Sequence, residues 1–281
     1  MNLTTIALEN AFREPGCPLC RLRGRSEQRY LFGLLYENVN DGGTRANLVN
    51  SMGLCPAHAW ALQAIEQETW NDGLGTSIIY QDLAGRFLST LTEYLETNST
   101  SDADRQTRLR QWLGRSGAIG RWLIGQWSPS APGASLLERL SPADRCYACR
   151  LVDRLEEIRI DQLVRGLTES DFQSAYAASD GLCLPHLRRA LAGAEDRRAV
   201  RSLVETAVAQ LNPLVHDLGE YTRKRNWSKR HEPRHPWEEV AWLRAVALLS
   251  GEAPRAETED TNRLRRKALT DYHRRKETET Q

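Results

Sequence analysis

The sequence predicts an all-α protein: two tandem pseudo-repeats of about three helices, each clamped by a Cys3His metal site, plus a C-terminal helix and a charged tail. Three observations carry this expectation. All six cysteines fall into two triplets, each followed by a histidine at the same spacing. Apolar residues recur at helical intervals along most of the chain. Val, Ile and Thr seldom alternate with polar residues over a length that would make a strand.

The first triplet is Cys17, Cys20 and Cys55, followed by His58; the second is Cys146, Cys149 and Cys183, followed by His186. In each, a Cys-x-x-Cys precedes a Gly-Leu-Cys-x-x-His, with 35 positions from second to third cysteine in the first copy and 34 in the second. Two matches of this quality are read as an internal repeat. The repeat extends further, because Leu83 and Leu211 both lie 25 positions after their histidine, and Glu93-Tyr94 and Glu220-Tyr221 both mark the end of a long apolar segment.

Each Cys-x-x-Cys is expected to open a helix. Leu31, Leu34, Leu35 and Val39 follow the first at helical spacing; Leu151, Leu155 and Ile158 follow the second. Longer helices are read from Leu83, Phe87, Leu88, Leu91 and Leu95, and from Val200, Leu203, Val204, Ala207, Leu211 and Leu214. This places the first repeat at 1–96 and the second at 141–222. Residues 97–140 read as a linker with a Trp-rich bridging helix from Leu109 to Trp127, flanked by polar loops at Thr97 to Asp104 and Ser128 to Gly133. Residues 223–251 read as a basic segment and a closing helix from Trp237 to a Gly251 cap, and 252–281 as a mobile charged tail.

Composition excludes several classes. A chain of 281 residues with 40% apolar content has enough apolar surface for a core without disulfides. With 38 basic against 37 acidic residues it is neither a disordered polyion nor a wholesale polyanion binder. No apolar run approaches the roughly 18–20 residues of a membrane span, and Met1 to Phe12 lacks a signal-peptide pattern, so a cytoplasmic protein without a membrane partner is expected.

Three thiolates and an imidazole make a closed tetrahedral shell of the kind that holds structural Zn²⁺. Two Zn²⁺ are therefore expected, on Cys17, Cys20, Cys55 and His58 and on Cys146, Cys149, Cys183 and His186. The alternative is a pair of [4Fe-4S] clusters, each with one histidine ligand, in a redox or sensory protein. Disulfides fit poorly in a reducing compartment and would leave one odd cysteine per triplet. Covalent haem requires a histidine directly after the second cysteine, where Arg21 and Arg150 stand.

These motifs, with Trp242-x-Arg244-Ala245-x-x-x-Leu249-x-Gly251 near the C-terminus, resemble a bacterial family described only as a domain of unknown function. The resemblance covers roughly residues 1–251 and implies a cytoplasmic protein with two metal-ligand sets and no assigned reaction. The second copy departs in detail, with Tyr147 where Pro18 would align and Pro185 one place beyond the position of Pro56.

No nucleophile elbow, phosphate loop, dinucleotide fingerprint or zinc-protease motif is present, and Gly117 to Gly120 reads as a helix kink or a close helix contact. Glu238 and Glu239 beside His235 read as a solvated, dipole-favoured first turn. Basic residues cluster at Arg223, Lys224, Arg225, Lys229 and Arg230, opposed locally by Glu232, and again at Arg265, Arg266 and Lys267; aromatics interleave the first cluster. Such clusters neutralise phosphates and stack on bases. The functional expectation is a zinc-stabilised helical binding or adaptor protein whose partner is a protein or nucleic acid. The alternative is the iron–sulfur redox or sensory protein above, and a third reading is an enzyme with an unrecognised site between the repeats.

Overall fold

The computed structural model describes residues 3–113 and 134–252; for 98–113 it describes the backbone alone. These residues are helical with no strand among them. The elements are α1 (Leu3–Phe12), α2 (Pro18–Tyr36), α3 (Gly42–Asn50), α4 (Pro56–Trp70), α5 (Leu74–Leu113), α6 (Ala134–Arg139), α7 (Tyr147–Gly166), α8 (Ser170–Ala177), α9 (Leu184–Ala192), α10 (Arg197–Lys224), α11 (Pro236–Glu239) and α12 (Ala241–Ser250), with a 3₁₀ turn at Trp227–Lys229.

The described residues fall into two compact units, one of residues 3–31 with 148–252 and the other of residues 32–113 with 134–147. In the first, α1, α7, α8, α9 and α10 enclose Leu8, Phe12, Leu19, Leu163, Leu167, Phe172, Tyr176 and Leu203, and both Cys17 and Cys183 belong to this core. Phe12 meets Phe172 and Tyr176 edge-on, with ring centroids 5.2 and 5.6 Å apart. Polar contacts fix the start of α2 on α7: Arg159 donates to Leu22 O at 2.9 Å and Ser26 Oγ at 2.6 Å, and Arg23 pairs with Asp153 at 3.0 Å.

The second unit packs Leu34, Leu35, Leu48, Leu62, Ile79 and Leu83. Asp41 caps α3 by accepting from Thr44 N at 2.7 Å. The carboxylate of Glu66, buried on α4, accepts from the amides of Gly75 at 2.5 Å and Thr76 at 2.9 Å, which leave the first turn of α5 no orphan donors at those two positions.

Several sequence expectations change. The polar run Thr97 to Asp104 is not a loop but lies inside α5. It holds neither Gly nor Pro, so its low helix propensity costs only tenths of a kcal/mol per residue, and the Thr97 hydroxyl donates back to Glu93 O at 2.7 Å. Val39 lies beyond the end of α2. On α7 the buried face is Ala148, Val152, Glu156, Ile160 and Leu163, rotated away from Leu151, Leu155 and the half-exposed Ile158. Leu88, Leu91 and Leu95 of α5 are exposed, as are Val204 and Leu211 of α10. The Trp-rich segment beyond Leu113, Gly117 to Gly120, the second loop and the tail after Glu252 lie outside the described residues.

The closing segment is two helices with a break at Val240. Glu238 is not in a solvated first turn: it is 5% exposed, accepts two bonds from Lys224 Nζ at 2.8 Å, and completes a capping box with the amide of His235 at 3.2 Å. Burial pushes its carboxyl up, but the hydrogen bonds from Lys224 and His235 and the Lys224 charge outweigh that and hold it below the ordinary value of 4.5. A lowered folded-state value contributes stability that is present above the unfolded value and lost as pH falls through the folded one. Urea unfolding of the native chain and Glu238→Gln across a pH series is expected to show a gap at neutral pH that shrinks as pH drops below about 4.5.

Candidate metal centres

Both Gly-Leu-Cys-x-x-His motifs build the same local structure. Gly53 and Gly181 take positive φ of 95° and 65°, turning the chain into the cysteine. Cys55 and Cys183 then occupy the N-cap positions of α4 and α9 in nearly identical extended conformations (φ −63°, ψ 160° and φ −64°, ψ 158°), with proline in the first turn of each helix. The histidine three residues on therefore stands above the cysteine, and Sγ to Nδ1 is 3.1 Å in both Cys55–His58 and Cys183–His186. Each Cys-x-x-Cys does open a helix, α2 after Cys17 and α7 after Cys146.

The pairing of these half-sites differs from the sequence expectation. Cys17 and Cys20 of the first motif converge on Cys183 and His186 of the second; Cys146 and Cys149 join Cys55 and His58. Within each group every donor atom lies within 4.8 Å of the others. A Cys-x-x-Cys and the Cys-x-x-His that follows it are thus not ligands of one site. The physical reason is visible in the first group: α2 is pinned along α7, and Cys17 and Cys183 share one apolar core, so the start of α2 faces α9 rather than α4. Local spacing specifies each half-site, but which halves meet is decided by helix packing.

In the first group, His186 Nδ1 is 3.4 Å from Cys17 Sγ and 3.3 Å from Cys20 Sγ, and the Cys20 and Cys183 sulfurs are 3.5 Å apart. Cys17, Cys183 and His186 are all buried. The Cys17 interaction and burial raise the Cys20 thiol against opposing contacts from Cys183 and His186. The knuckle backbone is held by distant carboxylates, with Gly16 N donating to Asp180 at 2.8 Å and Cys17 N to Glu252 at 3.0 Å. In the second group, Cys146 Sγ is 3.7 Å from His58 Nδ1, and Cys149, one turn further along α7, completes the set.

Sequence reasoning missed the residues around these donors. His186 Nε2 bonds Glu156, which is 3% exposed and also binds Arg23 and, at 2.7 Å, Arg189. Burial pushes the Glu156 carboxyl up, but the hydrogen bonds from His186 and Arg189 and the Arg23 charge prevail and hold it at about 2, so it is ionised at neutral pH. The only sequence signal for it was a glutamate at the centre of an i, i+4, i+8 apolar face on α7. A tyrosine neighbours each group: burial and then Cys146 and Cys55 raise Tyr80, and burial and then Cys17 raise Tyr176.

The C-terminal motif closes on the first group. Arg244 pairs with Asp217 at 2.8 Å, with both side chains at least 90% buried. Gly251, at φ 90° and ψ 168°, brings the chain so close that a β-carbon would lie 3.8 Å from Cys20 Sγ and 3.9 Å from Cys183 Sγ, and the next amide, of Glu252, donates to Cys20 Sγ at 3.5 Å.

The basic cluster is engaged by glutamates that the sequence places on either side of it. Arg223 pairs with Glu220 at 2.7 Å and with Glu232, Lys224 is buried against Glu238, Arg225 meets Glu239 at 3.3 Å and the Tyr221 ring at 4.2 Å, and Lys229 meets Glu232 at 3.5 Å. Arg230 lies 3.3 Å over the Trp227 ring. Phosphate contact through these cations would compete with existing pairs. Arg265, Arg266 and Lys267 lie outside the described residues.

Fold and site together define an all-helical protein with two Cys3His donor groups capable of holding metal ions. The chain belongs to a family of unknown function, DUF6062, whose profile matches residues 1–255. It is similar to an "Uncharacterized 23.9 kDa protein in xynA 3'region" from Caldicellulosiruptor sp. (strain Rt8B.4), 24% identical over 245 residues that cover 87% of this chain and 98% of the relative. No solved structure matches it.

Gly251→Ala is expected to destabilise the chain by about 1–3 kcal/mol, because this backbone region is essentially restricted to glycine. Urea denaturation checks the magnitude, and hydrogen exchange in α12 checks that the loss is centred on the C-terminal closure.

Proposed function

We propose that the protein is a zinc-stabilised helical binding scaffold, with two structural Zn²⁺ ions and an adaptor role toward a protein partner. The observation that carries the metal reading is the donor geometry: four protein atoms per group, all within 4.8 Å of one another, with the closest sulfur–nitrogen contacts at 3.1 to 3.7 Å and the Cys20 and Cys183 sulfurs 3.5 Å apart. Tetrahedral zinc with Zn–S bonds of about 2.3 Å spaces its sulfurs about 3.8 Å apart. An iron–sulfur cube binds each ligand at a separate iron and spreads them wider, so the donor spacing supports a single ion in each group. A shell filled by four protein donors leaves no position for water or substrate, which makes the metal structural. Thiolate sites of this kind persist in a reducing compartment, which supports a cytoplasmic location.

The partner reading draws on the surface. Val204, Val208, Leu211 and Val215 form an exposed apolar row at alternating four- and three-residue steps on α10. Rows of that kind mark protein contacts rather than nucleic-acid contacts.

The cross-paired groups give a distinctive stoichiometry. Elemental analysis is expected to find two zinc ions per native chain, one in Cys17→Ser/Cys183→Ser, and none in Cys17→Ser/Cys55→Ser. Brown protein with broad visible absorbance after anaerobic purification would sink the zinc reading. Retention of one ion by the Cys17→Ser/Cys55→Ser double mutant would sink the cross-pairing.

A further inference from the structure

We propose that Glu156 is a positioning residue for the first metal group, orienting His186 and slowing release of the ion it holds. The inference rests on the metal reading above. Four observations converge on it. Glu156 sits on the buried face of α7, where a carboxylate is expensive unless fully partnered. One oxygen bonds His186 Nε2, leaving Nδ1 as the atom that faces the three sulfurs. The other oxygen is held by Arg23 from α2 and Arg189 from α9, the two helices whose N-terminal ends supply the ligands. Arg23 is fixed in turn by Asp153, one turn before Glu156 on α7.

The charges are largely offset. Three thiolates around a divalent ion leave one negative charge, Glu156 and Asp153 add two more, and the guanidiniums of Arg23 and Arg189 cancel two of the three. A carboxylate on the far nitrogen of a ligating histidine fixes its tautomer and ring orientation and strengthens it as a donor; losing such a partner commonly weakens metal binding by about 10- to 100-fold. The carboxylate therefore acts on the metal through His186, while its arginines join the helices that carry Cys17, Cys20 and Cys183.

The test uses the full chain loaded with two zinc ions, Glu156→Gln, and a chromophoric chelator. One of the two ions is expected to leave about 10- to 100-fold faster than from the native chain while the other keeps its native rate. In a Cys55→Ser background, where only the first group holds metal, the single remaining ion is expected to show the same acceleration. Cobalt(II) substituted for zinc adds a readout that general loosening does not move: the visible ligand-field bands of the first group are expected to shift in Glu156→Gln. Arg189→Gln, at a partly exposed position, keeps the carboxylate, and is expected to accelerate the same ion to a smaller degree. Native rates for both ions with unshifted cobalt bands overturn the proposal, as does equal acceleration of both. If Glu156→Gln does not fold, unchanged release from Arg189→Gln overturns it. A native chain that holds no metal overturns the metal reading itself, whereas two bound ions indifferent to Glu156 overturn only this role.

Discussion

The first unit depends on one convergence: the sulfurs of Cys17, Cys20 and Cys183 and the imidazole of His186 meet at the junction of α2 and α9, inside an apolar core. These groups come from chain segments more than 160 positions apart. Polar groups buried at such density are costly unless each is partnered, and the surroundings are arranged accordingly. Glu156 takes the free imidazole nitrogen, Asp180 and Glu252 take the knuckle amides, and the Glu252 amide meets Cys20. The same contacts that partner the donors also join α2, α7, α9 and the segment after α12.

That arrangement accounts for the C-terminal motif. Arg244 reaches the buried Asp217 on α10 and holds α12 against it; Leu249 and Gly251 follow, and the backbone at Gly251, where the chain passes the Cys20 and Cys183 sulfurs, is one that glycine alone adopts without strain. A pattern distant in sequence from the cysteines is thereby part of the same construction. Lys224 and Glu238 repeat the logic a few residues earlier, as a buried pair satisfied on both sides. Breaking such a pair by removing one partner typically costs about 3–5 kcal/mol, since it strands a buried charge.

The two groups differ in their setting. Cys17 and Cys183 are core residues, whereas Cys55, Cys146 and Cys149 are each partly accessible. Identical half-site geometry at Cys55–His58 and Cys183–His186 thus ends in two different environments, set by what packs around the helix start rather than by the motif.

Much of this molecule is legible in the sequence. Helical class, the eight donor residues, the helix starts at each Cys-x-x-Cys and the turn before each Cys-x-x-His follow from spacing of residues close in the chain, where backbone geometry alone brings side chains together. Short-range rules misjudged the polar stretch of α5, which is helical because nothing in it breaks a helix, and the buried face of α7, where packing selected Val152 and Glu156 over Leu151 and Leu155. They also took Glu238 for a solvated residue, since its partner Lys224 is 14 positions away. Which knuckle meets which histidine could not follow from local spacing, because both pairings satisfy the same motif. The sequence by itself determined the donors and their half-sites; the tertiary packing of α2 along α7 decided that Cys17 and Cys20 join Cys183 and His186, because a shared core fixes which helix ends come within a bond's reach.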